Sequence, residues 1–176
     1  FSVAPSSITA ILGPSGAGKS TLLNILAGFD NLKSGRMMLN GVDHTSTSPA
    51  TRPVNFVFQD NNSFAHMTAR NNVAIGVASN LKLSIDQWHN VDDALEQVGI
   101  VHLAQRKPGD MSGGERQRIA LARVLVRQKP ILLLDEAFAA LGPGLRYDML
   151  LLLQRIQSER KLTVLMVTHS PEDAKL

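Results

Sequence analysis

Gly13-Pro14-Ser15-Gly16-Ala17-Gly18-Lys19-Ser20 decides the fold. The string fits the pattern G-x-x-x-x-G-K-[ST] at every fixed position. Its glycines let successive backbone N–H groups turn inward and approach an anion without side-chain obstruction. Before it, Ile8 to Leu12 is a short apolar run that stops at Gly13, which predicts a buried strand. After it, Leu22, Leu23, Ile25 and Leu26 recur at helical spacing between Lys19 and Ala27, and Gly28 ends the run. A helix that opens on such a loop offers its free N–H groups and positive dipole end to phosphate. Lys19 is then placed to reach the β- and γ-phosphates, Ser20 to put a hydroxyl on Mg²⁺, and Thr21 to meet the α-phosphate. The predicted ligand is a nucleoside triphosphate, ATP with Mg²⁺.

Outward from this loop the chain alternates strands and helices. Arg36 to Leu39 and Val54 to Phe58 read as strands, with the turn signal Asn40-Gly41 between them. From Asp60 to Gly109 amides, polar residues and helical periodicity dominate, as in Ile85 to Val98, which predicts a helical insertion. A helix is expected from Ser112 to Arg127, a buried strand from Ile131 to Leu134, a helix from Gly144 to Ser158 and a last strand from Leu162 to Val167. Apolar strands alternating with helices predict the α/β class, with a mostly parallel sheet covered on both faces. The expected layout is one domain. Residues 1–59 and 115–176 form its nucleotide-binding core, and residues 60–114 an inserted helical subdomain.

Composition narrows the function classes. A chain of 176 residues with 44% hydrophobic and 19% charged residues suits one globular domain with a sizeable core, not a disordered chain. The absence of cysteine excludes disulfides, zinc-thiolate sites and thiol catalysis. A net charge of +3, with basic residues scattered except between Arg116 and Arg127, gives no argument for nucleic acid; a solvated helix face accounts for that stretch. The longest apolar runs, Ile131 to Leu134 and Met149 to Leu153, fall far short of the roughly 20 residues a membrane span needs. Work at a membrane therefore requires a partner that holds the protein there.

The strand Ile131 to Leu134 ends in Asp135-Glu136. Ligands bind at the carboxyl ends of parallel strands, so Asp135 is placed to support Mg²⁺ and Glu136 to polarise an attacking water as general base. Gln59 follows the strand Val54 to Phe58 and His169 follows the strand Leu162 to Val167, so both point to the same end of the sheet. Gln59 is a candidate ligand of Mg²⁺ or of water, and His169 a candidate partner of the γ-phosphate. His44, His66, His89 and His102 lack such placement and receive no role.

Met111-Ser112-Gly113-Gly114-Glu115-Arg116-Gln117-Arg118 supplies a second anion site, with Ser112 as helix N-cap and two glycines leaving N–H groups open. One fold cannot easily turn two distant helix starts onto one nucleotide. Two copies packed head to tail can, each completing the other's site.

Jointly these strings resemble the nucleotide-binding subunits of ABC transporters, a branch of the P-loop NTPases, and the resemblance implies a small antiparallel β part beside the mostly parallel sheet. Met111 to Glu115 is similar to that family's LSGGQ signature, with Met111 in place of Leu and Glu115 in place of Gln. The resemblance covers the whole chain. It implies an ATPase that hydrolyses ATP as a head-to-tail homodimer and docks on integral membrane permease subunits. It also implies a periplasmic substrate-binding protein as indirect partner, no nucleic acid, and a place at the cytoplasmic face of the bacterial inner membrane. On the same resemblance Glu136, His169 and Gln59 are catalytic, with Gln59 as the Q-loop glutamine and His169 as the switch histidine. Ser112, Gly113, Gly114 and Glu115 join Gly13 to Thr21 in binding nucleotide, and Ser20, Gln59 and Asp135 serve the metal. Gly41 to Thr45, Arg52-Pro53-Val54 and Phe58 to Asn62 resemble the ATP-binding subunits of bacterial thiamine importers, although none of these segments has a physical link to thiamine. Polyamine or metal-ion import, or a nucleotide-binding remnant with weak hydrolysis, stand as alternatives.

The sequence departs from the family pattern in three places. Ala137 stands where the family has Pro after the catalytic Glu, an exchange expected to be tolerated. The D-loop reads Ala139-Ala140-Leu141-Gly142 and lacks the family's aspartate, which puts coupling and hydrolysis rate in question but not ATP binding. The chain also starts after the expected adenine-stacking aromatic and stops soon after His169, so truncation at both ends is expected.

Overall fold

Four short apolar segments, β1 (Ile8–Ile11), β4 (Val54–Val57), β5 (Ile131–Asp135) and β6 (Thr163–Val167), pair in parallel in the order β1-β6-β5-β4. The computed structural model describes residues 1–58 and 63–175, so Gln59 lies outside the described residues. The register sets Ile11 opposite Val167, Asp135 opposite Val167, and Val57 opposite Leu134. The carboxyl ends of all four strands therefore finish level along one edge of the sheet.

Side-chain alternation divides the core in two. Ile131 and Leu133 of β5, with Leu165 and Val167 of β6, face α1 (Lys19–Ala27) and bury Leu23 and Ala27. Leu132, Leu134, Val164 and Met166 face the other way, into a larger cluster filled by α4 (Gly113–Arg127) and α5 (Pro143–Arg160). Both faces are covered, which is why β5 is apolar at successive positions.

The segment between β4 and α4 is helical, as expected. It holds α2 (Ala69–Ala74) and α3 (Ile85–Gln97), the latter opened by a capping box between Ser84 and Gln87. Val73, Val91, Leu95 and Val98 of this segment join the same buried cluster as Ile119 and Leu121 of α4. The turn at Asn40-Gly41 forms, with φ 49° and 78°. Its hairpin, however, joins β2 (Met38–Leu39) to the two-residue β3 (Val42–Asp43), and Val54–Val57 goes instead to the parallel sheet. Arg52, buried beneath this hairpin, donates to Ile25 O, to Leu26 O at 3.0 Å, and from Nε and Nη2 to Thr47 O at 3.1 and 2.9 Å. A guanidinium thus satisfies the last carbonyls of α1, where its charge also suits the helix dipole.

The basic stretch on α4 is less solvated than expected. Arg118 Nη1 donates to Val98 O at 2.6 Å, and Arg123 Nε and Nη2 donate to Asn72 O and Oδ1 at 2.6 and 2.5 Å. Burial pulls the Arg123 guanidinium down to about 10. These arginines tie α4 to the helical segment.

Candidate functional site

The loop after β1 takes the conformation its glycines allow. Gly16 and Gly18 have φ of 79° and 83°, in the left-handed region that other residues rarely adopt. Gly18 is the N-cap of α1 and offers no side-chain bond to it, so the first N–H groups of the helix stay open to an anion. Lys19 is buried, and its Nζ donates to Gly13 O at 2.8 Å and Pro14 O at 2.9 Å. Ser20 Oγ donates to Asp135 Oδ1 at 3.0 Å, joining the start of α1 to the end of β5. Ser20 and Thr21 are exposed.

Next to Asp135, Glu136 has φ of 48°, an uncommon conformation for a residue with a side chain. Its N–H donates to Val167 O at 3.1 Å, which carries the β5–β6 pairing one residue beyond the strand. The Glu136 Oε1 atom lies 2.5 Å from His169 Nε2, with the imidazole half-exposed and the carboxyl mostly covered. Strain of this kind collects at functional sites, where the surrounding structure holds it. The residues predicted from three distant strings, Gly13 to Ser20, Asp135-Glu136 and His169, thus meet on one edge of the sheet.

A hydroxyl and a carboxylate 3.0 Å apart are a hard oxygen donor set. That set fits Mg²⁺, which takes few protein ligands and completes its shell with water and phosphate oxygens. Among the described residues no group of three or more His, Asp or Glu side chains is arranged to hold a metal.

Ser112 caps α4 through a capping box. Glu115 N–H donates to Ser112 Oγ at 3.3 Å, and Ser112 N–H donates to Glu115 Oε2 at 2.6 Å. The Ser112 backbone N–H holds the Glu115 carboxyl below the usual carboxylate range. Glu115 in place of Gln therefore keeps the cap. Gly114 lies against Leu145 of α5, where an added Cβ would come within 2.6 Å of Leu145 Cδ2. Among the described residues no hydrogen bond joins Ser112-Gly113-Gly114 to the loop at 13–20.

Three contacts gave no sequence signal. Buried Gln117 donates its side-chain amide to Ala137 O, just after Glu136. Arg146 pairs with buried Asp173, and buried Thr168 donates to the same carboxylate. All three lie against residues already placed at the site.

Residues 1–139 match the family model described as "ABC transporter". The chain is 56% identical over 167 residues to the "Thiamine import ATP-binding protein ThiQ" of Brucella suis, covering 95% of this chain and 69% of that protein. The protein of the same description from Mesorhizobium japonicum is 53% identical over 172 residues, covering 98% and 68%. Among solved structures, an ATP-binding cassette of an ABC transporter in its ADP conformation superposes with a TM-score of 0.90 at 27% identity, over 98% of this chain and 74% of that one. A dimeric cassette in a post-hydrolysis state with ADP and Pi gives 0.85 at 29% identity, over 99% and 80%.

Proposed function

Since the chain belongs to the ABC transporter family, as its ATP-binding part, we propose that it drives import of thiamine or thiamine phosphate by hydrolysing ATP between two copies of itself. It is an ABC-type transport ATPase with the P-loop NTPase fold. The observation that carries the catalytic reading is the pairing of Glu136 with His169 beside the Ser20–Asp135 bond on one sheet edge.

In this reading residues Gly13 to Thr21 bind the triphosphate, with Lys19 turning from its loop carbonyls to the β- and γ-phosphates. Ser20, Asp135 and Gln59 would hold Mg²⁺, which would screen the charge of the β- and γ-phosphate oxygens. Glu136 takes the proton of the attacking water, and His169 keeps that water and the γ-phosphate in line. The open start of α4, with Ser112, Gly113, Gly114 and Glu115, meets the γ-phosphate bound by the other copy. That no hydrogen bond joins the two helix starts among the described residues supports that head-to-tail arrangement, and a dimeric cassette is among the structural neighbours. The Glu136–His169 geometry favours hydrolysis over a nucleotide-binding remnant, despite Gly142 in the D-loop.

Residues 1–59 and 115–176 are assigned to the nucleotide-binding core and 60–114 to the helical subdomain. Between these parts runs a groove of about 500 Å³ lined by Phe56, Phe58, Phe64, Met67 and Arg123, which suits an apolar permease segment. None of the helices among the described residues is long and apolar enough to cross a membrane, so the permease is assigned the spanning role. The proposed place is the cytoplasmic face of the bacterial inner membrane, with a periplasmic substrate-binding protein feeding the permease. Reconstituted with its permease, the ATPase should be stimulated by thiamine on the binding protein. Equal stimulation by a polyamine or a metal ion would overturn the substrate assignment.

A further inference from the structure

The turn that carries His169 is held on both sides by one ion pair, in which the Asp173 carboxylate is buried and the Arg146 guanidinium is partly covered. Arg146, in the first turn of α5, donates Nε to Asp173 Oδ1 at 2.8 Å and Nη2 to Asp173 Oδ2 at 2.5 Å. The same Nη2 donates to Thr168 Oγ1 at 3.0 Å. The Thr168 hydroxyl donates to Asp173 Oδ2 and accepts from Ser170 N–H at 3.1 Å. All three bonding positions of that hydroxyl are therefore used. Thr168 and Asp173 are buried, at 3% and 6% exposure. Thr168 and Ser170 are the chain neighbours of His169, so both peptides that aim its imidazole hang from the Arg146–Asp173 pair.

Such a network exceeds what is needed to anchor a chain turn. An ion pair with one buried partner brings little net stability, because desolvation offsets most of the attraction, whereas its two-pronged geometry fixes orientation. His169 itself is half-exposed and, among the described residues, its one side-chain partner is Glu136, so its position depends on the backbone that carries it.

We propose that Arg146 and Asp173 are positioning residues for ATP hydrolysis: through Thr168 and Ser170 they hold the His169 imidazole against Glu136. This rests on the reading of His169 as the residue that keeps the attacking water in line. Among the described residues neither side chain bonds to the loop at 13–20. Their loss moves kcat and leaves ATP affinity alone, since an angstrom of misplacement acts on the reacting geometry and not on the phosphate loop.

The test is steady-state ATP hydrolysis by the assembled transporter carrying Arg146→Met together with Asp173→Leu. Exchanging both partners leaves no unpaired buried charge, and thermal melting checks that the variant is folded. The expected kcat falls on the order of 10–100-fold with ATP affinity unchanged. Adding His169→Ala to the double variant should cause no further loss, because residues that act as a unit are not additive. Wild-type kcat in the double variant beside a His169→Ala variant that has lost it overturns this inference alone. A further, additive loss in the triple variant overturns it as well. Full turnover in His169→Ala overturns the reading of His169 on which the inference rests.

Discussion

His169 Nε2 lies 2.5 Å from Glu136 Oε1, although the two residues stand at the ends of different strands and Glu136 holds an unfavourable φ of 48°. The parallel register of β5 and β6 brings the two ends level, and the bond from Glu136 N–H to Val167 O fixes the turn that aims the carboxylate. The Glu136–His169 pair is thus a product of sheet register.

Lys19→Met should weaken ATP binding about 10–100-fold, the cost of a lost charge-assisted hydrogen bond to phosphate. Overall folding should survive, because among the described residues Nζ bonds only to the loop carbonyls of Gly13 and Pro14. Isothermal titration with a nucleotide analogue measures the first and thermal melting the second. Unweakened binding would remove Lys19 from the site.

Arg52→Met should destabilise the protein by about 2–3 kcal/mol, since Ile25, Leu26 and Thr47 lose a charged donor in a buried place. The measurement is urea unfolding at fixed pH. An unchanged midpoint would show that water replaces the guanidinium there.

Gly142→Asp should raise stability by about 0.5–1 kcal/mol. Gly142 is the N-cap of α5 with φ of −62°, a conformation open to any residue, and an added Cβ meets nothing within 4 Å. The new carboxylate would accept from the first N–H groups of α5 and would lower chain entropy in the unfolded state. A fall in melting temperature would contradict the capping geometry.

Stability should also depend on the Arg70–Asp92 pair in the helical segment, where Arg70 Nε and Nη2 donate to Asp92 Oδ1 and Oδ2 at 2.6 and 2.7 Å. The Arg70 bonds hold the Asp92 carboxyl below its ordinary 3.8. A depressed folded pKa means that the unfolded chain binds the proton first as pH falls. The contribution of the pair is therefore whole above 3.8 and is lost as pH falls below that value, through the folded pKa. Comparing the protein with Asp92→Asn by urea melts should give a gap that closes on acidification. A gap that persists at the acid end would assign the effect to packing, in which the Arg70 guanidinium lies 4.2 Å from the Trp88 ring centroid.

Much of this was legible because the strings in question set local backbone geometry. Gly13 to Ser20 predicts its own strand, turn and helix, and Ser112 with Glu115 predicts its own cap, from neighbours in the chain alone. The end of β5 announced Asp135-Glu136 through its apolar run. By contrast, nothing near Asp173 distinguishes it from a solvated acid; its meaning comes from Arg146, brought to it by packing of α5 on the sheet. Arg52 likewise gains its role from carbonyls of a helix far back in the sequence. The short return strand Val42–Asp43 escaped because two residues are too few to show alternation. The arginines of α4 read as solvated in the sequence because periodicity does not reveal which charged face meets another helix.

The central claim, hydrolysis of ATP by the Glu136–His169 pair, is tested most directly by phosphate release from Glu136→Gln in the assembled transporter with ATP. Loss of a general base lowers turnover by about 10²–10⁴-fold, and the account predicts that loss together with undiminished ATP binding. Phosphate release at the wild-type rate would contradict it.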